Sequence, residues 1–487
     1  MRTVLRLLLP LGLLAAAVAG CSLRGQIQPN QAPETTIFVS GDVDTINHVA
    51  HLHWFGSDTD GNVIRYEVRL LNPAQPEETT WVATLRADSV VTVLAPTGFA
   101  APVFQVRAVD NEGMRDPTPA MQDFKFSNKP PTILLTNKPA LTDTTFASVT
   151  VTWVPSDIDG NLANAKYFVW LDGQEATPES TTSVTYTMPS ARFMNGGTTY
   201  NNGFRTLYVQ ARDDGGRYGN VDSVRWFVRR PVTGTRARLL IIDDVPSNNS
   251  SNIRFDSLYA NTALRNLPAD QFAVLRLQNR VPFRSAMDVQ QTFQQFEAVI
   301  WYRANETTFS SFLRDYQAGV EGYVDHGGKL FLEGLYLIAG TNAVGALSSS
   351  FVTDYLDCYG MLNCFAVTPA VLDSSAGWSN LNGSRFRSTV LADSSRQQAL
   401  STRTGEPGGI RAFLVRDNSK ALLWALPGAL SPAVADSFPV AVMNDRPGGG
   451  RVVVSTIPLS TSIAPPTGSR APALIAKVFG LLGLLAP

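Results

Sequence analysis

Hydrophobic patterning divides the chain into two textures. In the first half apolar and polar residues alternate: Ala50, Leu52 and Trp54 interleave with His51 and His53, and Val149, Val151 and Trp153 with Thr150 and Thr152. A period of two sends successive side chains to opposite faces, so these runs predict strands with one buried face. Asp-Gly-Asn turn chemistry follows the first run, and Tyr66, Val68 and Leu70 then resume the alternation. From residue 237 the texture changes. Leu239, Leu240, Ile241 and Ile242 form an unbroken apolar run that ends in Asp243 and Asp244, the pattern of a strand buried on both faces. A helix is predicted over 253–266, a strand from Phe272, a further helix, a strand over 296–302 and an amphipathic helix over 309–324. His326-Gly327-Gly328 ends that helix before a strand from Lys329; a late strand over 450–456 and an apolar helix over 471–485 complete the order. Strands alternating with helices imply a parallel sheet with right-handed crossovers.

An internal repeat runs through the first half. Trp54, Ser57, Asp58, Asp60, Gly61 and Asn62 recur as Trp153, Ser156, Asp157, Asp159, Gly160 and Asn161, 99 residues on. Residues 104–113 are echoed by 207–216 in the same order, so the similarity is a duplication. Short strands, a buried Trp and about 100 residues per copy suit a seven-stranded sandwich. With the V-x-A-x-D-x-x-G close of each copy, residues 33–128 and 129–231 resemble fibronectin type III and related immunoglobulin-like modules. The fold class expected is therefore multidomain: two all-β immunoglobulin-like sandwiches, then an α/β three-layer parallel-sheet domain over 237–487.

Two metal readings arise inside the repeat. His51 and His53 share a strand face near His48, but Thr150 and Thr152 stand at the equivalent positions, so the face is expected to be solvated. The Asp58/Asp60 and Asp157/Asp159 pairs resemble the start of a calcium loop, yet the pattern is not completed and turn-forming acids are the commoner use. No metal and no cofactor is expected.

The N-terminus carries Arg2 and Arg6, an apolar stretch over 7–19 and then Val18-Ala19-Gly20-Cys21. Basic, apolar and small-residue regions in that order mark a signal peptide over 1–20. The last four residues resemble the lipobox of bacterial lipoproteins, which implies lipidation of Cys21 and a polar tether over 21–32. An ordinary signal peptide with a chance cysteine is the alternative. The absence of Asp at position 22 implies, by that family's sorting habit, the outer membrane. The remaining cysteines, Cys358 and Cys364, can close a small loop in an oxidising compartment, worth about 2 kcal/mol, or stand as buried thiols.

The order of elements from 237 on, with Gly-Gly-Lys-Leu-Phe-Leu-Glu-Gly at 327–334, resembles the class I glutamine amidotransferase-like group of flavodoxin-like folds. Catalytic members of that group place a cysteine in a strand-to-helix elbow, followed by a histidine and an acid. Here Glu333, Gly334 and Leu335 occupy the elbow, and the four histidines, 48, 51, 53 and 326, all precede it. A thiol or hydroxyl nucleophile lacks its base, so amidotransferase chemistry is not expected. The start also resembles response-regulator receivers, but Trp301-Tyr302-Arg303 stands where the acceptor aspartate is expected.

In parallel α/β sheets ligands bind at the carboxyl ends of the strands. Asp243, Asp244, Arg303, Glu306 and Glu333 are placed there by the strand reading and form a candidate ligand rim, with Asn248–Ser251 as a polar loop beside it. Solvated acids paired with Arg303 are the alternative. The 487 residues hold 44% hydrophobic and 17% charged side chains at a net charge of −1, enough to bury real cores and with no basic run for nucleic acid. Three functions stay open: a non-catalytic binding or scaffolding lipoprotein of the envelope with a glycan or protein ligand; a hydrolase of envelope polymers acting through Asp243, Asp244 and Glu333; and a structural subunit of an envelope assembly.

Overall fold

The computed structural model describes residues 29–39, 49–71, 73, 80–195, 199–200, 202–231, 237–246, 252–277, 282–304, 311–334, 347–363, 386–388, 397–398, 411–416, 420–425, 438–456 and 471–485. Cys21, His48, Asn248–Ser251, Glu306, Leu335 and Cys364 lie outside them.

In the first module β1 (Glu34–Val39), β2 (Val49–Ser57) and β5 (Asp88–Thr92) form one sheet. The other sheet takes β3 (Val63–Leu71), β4 (Val82–Thr84), β6 (Val103–Asp110) and β7 (Ala120–Asp123), in the order β4-β3-β6-β7. Three strands facing four is the expected sandwich. Ala50, Leu52 and Trp54 point into its core with Phe104 and Val106, as the alternation requires. The second module repeats the plan. β8 (Thr132–Asn137), β10 (Val149–Ser156) and β13 (Thr185–Met188) make the smaller sheet. β9 (Thr144–Thr145), β11 (Lys166–Leu171), β12 (Glu179–Thr181), β14 (Gly203–Arg212) and β15 (Tyr218–Val228) make the larger one. Trp153 is buried edge-on against Tyr167, their centroids 5.4 Å apart.

The repeated acids act as turn and strap anchors. Asp58 and Asp157 each accept the backbone N–H two residues on. Asp60 accepts the N–H of Gln31 at 3.0 Å, and Asp159 that of Lys129 at 3.0 Å. The preceding asparagines, Asn30 and Asn128, donate their amides to Asp110 and Asp213. Each copy thus ties its incoming segment to its own two turns, and among the described residues no group of three His, Cys, Asp or Glu side chains is placed to hold a metal ion. The glycine of the motif permits this crowding. A Cβ on Gly160 would lie 2.2 Å from Asp157 Oδ2, and one on Gly61 would lie 2.5 Å from Asp58 Oδ2. Gly160→Ala is expected to lose about 1–3 kcal/mol, as overpacking does; a urea midpoint unchanged from wild type would contradict this close approach.

Contacts group the chain into two compact units: residues up to 132 with 156–166 and 211–220, and residues 133–155, 167–210 and 221 onward. The body of the second module therefore shares a unit with the α/β domain.

That domain is built on β16 (Ala237–Asp243), α1 (Asn252–Asn266), β17 (Phe272–Arg276), α2 (Ala286–Phe293) and β18 (Phe296–Ala304). α3 (Ser311–Asp315), α4 (Gln317–Asp325) and β19 (Lys329–Gly334) follow, so the single helix expected over 309–324 is two, broken at Tyr316. After β20 (Lys420–Ala425), β21 (Phe438–Asp445) and β22 (Arg451–Ser455), α5 (Ala471–Leu481) ends the fold. The parallel strands run β17-β16-β18-β19-β22, with a register shift between Tyr302 and Ala304 where β18 pairs with β19. In chain order this is 2-1-3-4-5, with the reversal between β16 and β18. Beyond β22 the sheet continues antiparallel through β21 and β20, an extension that the alternating pattern did not predict. Leu239 and Ile241 pack with α1 and α5 in one cluster, and Leu240 and Ile242 with α2 and α4 in another. No helix among the described residues is long and apolar enough to cross a membrane.

The second module joins this domain through a buried seam. Phe146 packs edge-on against Phe296, centroids 5.3 Å apart, within the α2/α4 cluster. Gln295 is buried and pairs with the Ala147 backbone in both directions, at 3.2 and 3.4 Å. The Thr150 hydroxyl meets that of Ser285 at 2.6 Å. The face expected to be solvated is therefore covered at Thr150 in this copy, although His51 at the matching position is exposed.

Ser285 also caps α2. Its hydroxyl accepts the Asp288 N–H at 3.1 Å, an N-cap bond, while the buried Asp288 carboxylate reaches back to accept the Arg284 N–H at 3.2 Å. Burial pushes the Asp288 carboxyl up to about 6 despite the hydrogen bonds it accepts. A carboxyl raised in the folded state favours folding while protonated, and that contribution is lost as pH rises from about 4 to about 6. Asp288→Asn is expected to gain on wild type by about 3 kcal/mol across that window, and then to run parallel above it. Urea midpoints at pH 4, 5, 6 and 7 check this; parallel curves throughout would show that Asp288 ionises freely.

Candidate functional site

The carboxyl ends of the parallel strands carry the acids singled out in the sequence, and the pleat divides them. Register places Arg276, Asp243, Tyr302, Glu333 and Ser455 in one row across β17, β16, β18, β19 and β22. Asp243 and Glu333 are separated by one strand, roughly 10 Å at the ordinary strand spacing. Asp244, just past the end of β16, and Arg303 follow the parity of Ile242 and Trp301, and the bond from Trp301 Nε1 to Asp244 places that pair on the opposite side of the sheet.

On the α1 side, the Tyr259 hydroxyl donates to Glu333 Oε2, and both side chains are fully buried. Tyr259 stacks on Tyr302 with centroids 4.9 Å apart. Burial holds the Tyr259 phenol well above its ordinary range, and the negative charge of Glu333 raises it further. The phenol therefore stays a donor at all ordinary pH values. Asp243 Oδ1 accepts the Val245 N–H at 3.0 Å, which turns the chain out of the strand.

On the α2 side, Arg303 Nη1 donates to Asp244 Oδ1 and to the Asp244 carbonyl, each at 2.9 Å. Trp301 Nε1 donates to Asp244 Oδ2 at 3.0 Å. Both oxygens of the carboxylate are thus engaged, and the pair is sealed, its side chains 8% and 2% exposed. A desolvated ion pair with its hydrogen bonds satisfied holds two strand ends together.

The structure therefore brings Asp244 and Arg303 together, as the pairing alternative had it, but buried instead of solvated. It leaves Asp243, Asp244 and Glu333 without a common point of action. Tyr259 and Trp301, which donate hydrogen bonds to the rim acids, carried no motif; their only sequence signal was a place in a helix and a strand already predicted. Cys358 is buried with its thiol 3.5 Å from the Leu356 carbonyl, and its proposed disulfide partner Cys364 lies outside the described residues.

No family model matches this chain, and no curated protein does. Among solved structures it is similar to the fibronectin(III)-like modules of CbhA from Clostridium thermocellum, at 19% identity and a TM-score of 0.19, over 40% of this chain and 95% of that one. It is similar also to domains FN1–FN3 of chicken CNTN1, at 14% identity and a TM-score of 0.19, over 44% and 70% of the two chains. A two-domain fibronectin type III segment from chicken tenascin matches at 12% identity and a TM-score of 0.16, over 40% and 98%.

Proposed function

We propose that this chain is an exported lipoprotein, anchored in the outer membrane through Cys21, that binds a glycan or protein ligand of the cell envelope without turning it over. The two fibronectin-like modules carry a three-layer, amidotransferase-like domain in which the catalytic elbow is replaced by Glu333. The observation that carries the non-catalytic reading is the internal engagement of the strand-end acids: Tyr259 bonds Glu333, and Arg303 and Trp301 bond Asp244. A general acid or base needs a lone pair or proton facing substrate, and these groups face each other. The strand order 2-1-3-4-5 supports the flavodoxin-like assignment.

Two measurements on the full chain test the proposal. Mass spectrometry of the mature protein should find it beginning at a lipid-modified Cys21 and partitioning into detergent, and Cys21→Ala should leave it in the aqueous phase. A mature N-terminus elsewhere overturns the anchor. Incubation with purified envelope polymers should release no products, whereas release that disappears in Glu333→Gln would establish the hydrolase instead.

A further inference from the structure

The seam between the second module and the α/β domain encloses a cavity of about 380 Å³, within the range of small-ligand sites. Thr144, Phe146, Arg229, Phe283, Asp288 and Thr292 are among its lining residues. A smaller cavity of about 230 Å³ shares Thr144, Thr145 and Arg276 with it and lengthens the space along β17, the edge strand of the sheet.

Arg229 decides what this space can hold. Its guanidinium donates to the Val274 carbonyl at 3.2 Å and lies 5.5 Å from the centre of the Phe146 ring. Both partners are neutral. Burial alone lowers its pKa, with no carboxylate offsetting the loss of water. The other charged groups nearby do not supply one. Asp143 is paired with Arg284 at 3.1 Å, and Asp288 accepts the Arg284 N–H at the start of α2. A guanidinium has five N–H donors, so one that lines the cavity and spends a side-chain donor on a carbonyl has others to offer an oxyanion. The flanking Phe146 and Phe283 rings offer an apolar body a place to pack.

We propose that this seam cavity is a binding site for a small organic anion, its carboxylate or phosphate on Arg229 and its apolar portion between Phe146 and Phe283. The threonine hydroxyls of Thr144 and Thr292 supply neutral hydrogen-bonding groups beside the charge. The site is remote in function from the strand-end acids, and it stands whether or not the chain is lipid-anchored.

The test uses the full chain with benzoate, phenyl phosphate and inorganic phosphate as probes, and benzyl alcohol as the uncharged control, followed by calorimetry and protected thermal unfolding. Benzoate or phenyl phosphate should saturate one site, benzyl alcohol should bind at least tenfold more weakly, and Arg229→Met should weaken the anions about tenfold or more. Binding of inorganic phosphate as tight as phenyl phosphate would assign the site to the bare ion and overturn the apolar half of the proposal. Because Arg229→Met also removes the bond to Val274, Thr144→Tyr serves as a second variant that fills the cavity and leaves Arg229 in place; it too should abolish saturation. Failure of both organic anions to bind wild type, or equal binding by wild type and both variants, overturns the site.

Discussion

Asp244→Ala is expected to lose about 3–5 kcal/mol of folding stability, because it leaves the Arg303 guanidinium buried without its carboxylate. Arg303 is 7% exposed, and its Nη1 loses its bond to Asp244 Oδ1. Trp301 loses the acceptor of its indole N–H in the same step, adding an unsatisfied buried donor. The double variant Asp244→Ala, Arg303→Met should recover much of the loss, since removing both members of a buried pair is far less costly than removing one. Urea denaturation of the three proteins gives the cycle. A single variant within 1 kcal/mol of wild type would mean that water reaches Arg303, and would return the rim to consideration as an open site.

Phe146→Ala is the second large effect, again about 3–5 kcal/mol for a buried aromatic cut to a methyl. The ring is 4% exposed, meets Phe296 edge-on and carries the Arg229 guanidinium over its face. Its position makes the consequence more than local. Phe146 is the residue of the second module that enters the α2/α4 cluster, so the truncation weakens the seam as well as the core. Calorimetry should show the module and the α/β domain unfolding in one transition in wild type and in two in the variant. A lowered midpoint with an undivided transition would place the coupling in the Gln295–Ala147 and Thr150–Ser285 bonds instead.

Much of this architecture was legible in the residues. Alternation at 50–54 and 149–153 identified the strands and which side chains enter the cores, because a pleated strand has only two faces. The unbroken apolar run at 239–242, too short for a buried helix and followed by a predicted helix, identified a strand covered on both sides. The same pleat rule, applied one step further, separates Asp243 from Asp244. Consecutive residues of an extended chain point to opposite faces, so a rim using both acids together was in conflict with the extended reading that placed them there.

What the tertiary structure alone decided is the state of each polar group. Glu333 accepts a hydrogen bond from Tyr259, on a helix 74 residues earlier, and Asp244 pairs with Arg303 from a neighbouring strand. Thr150 is buried and His51 exposed although the repeat makes them equivalent. Local pattern reports the average environment of a position along its own strand. Burial and pairing depend on which distant surface arrives there. The seam cavity with Arg229 follows the same logic: no segment of the chain encodes it, and it exists because two separately legible folds meet.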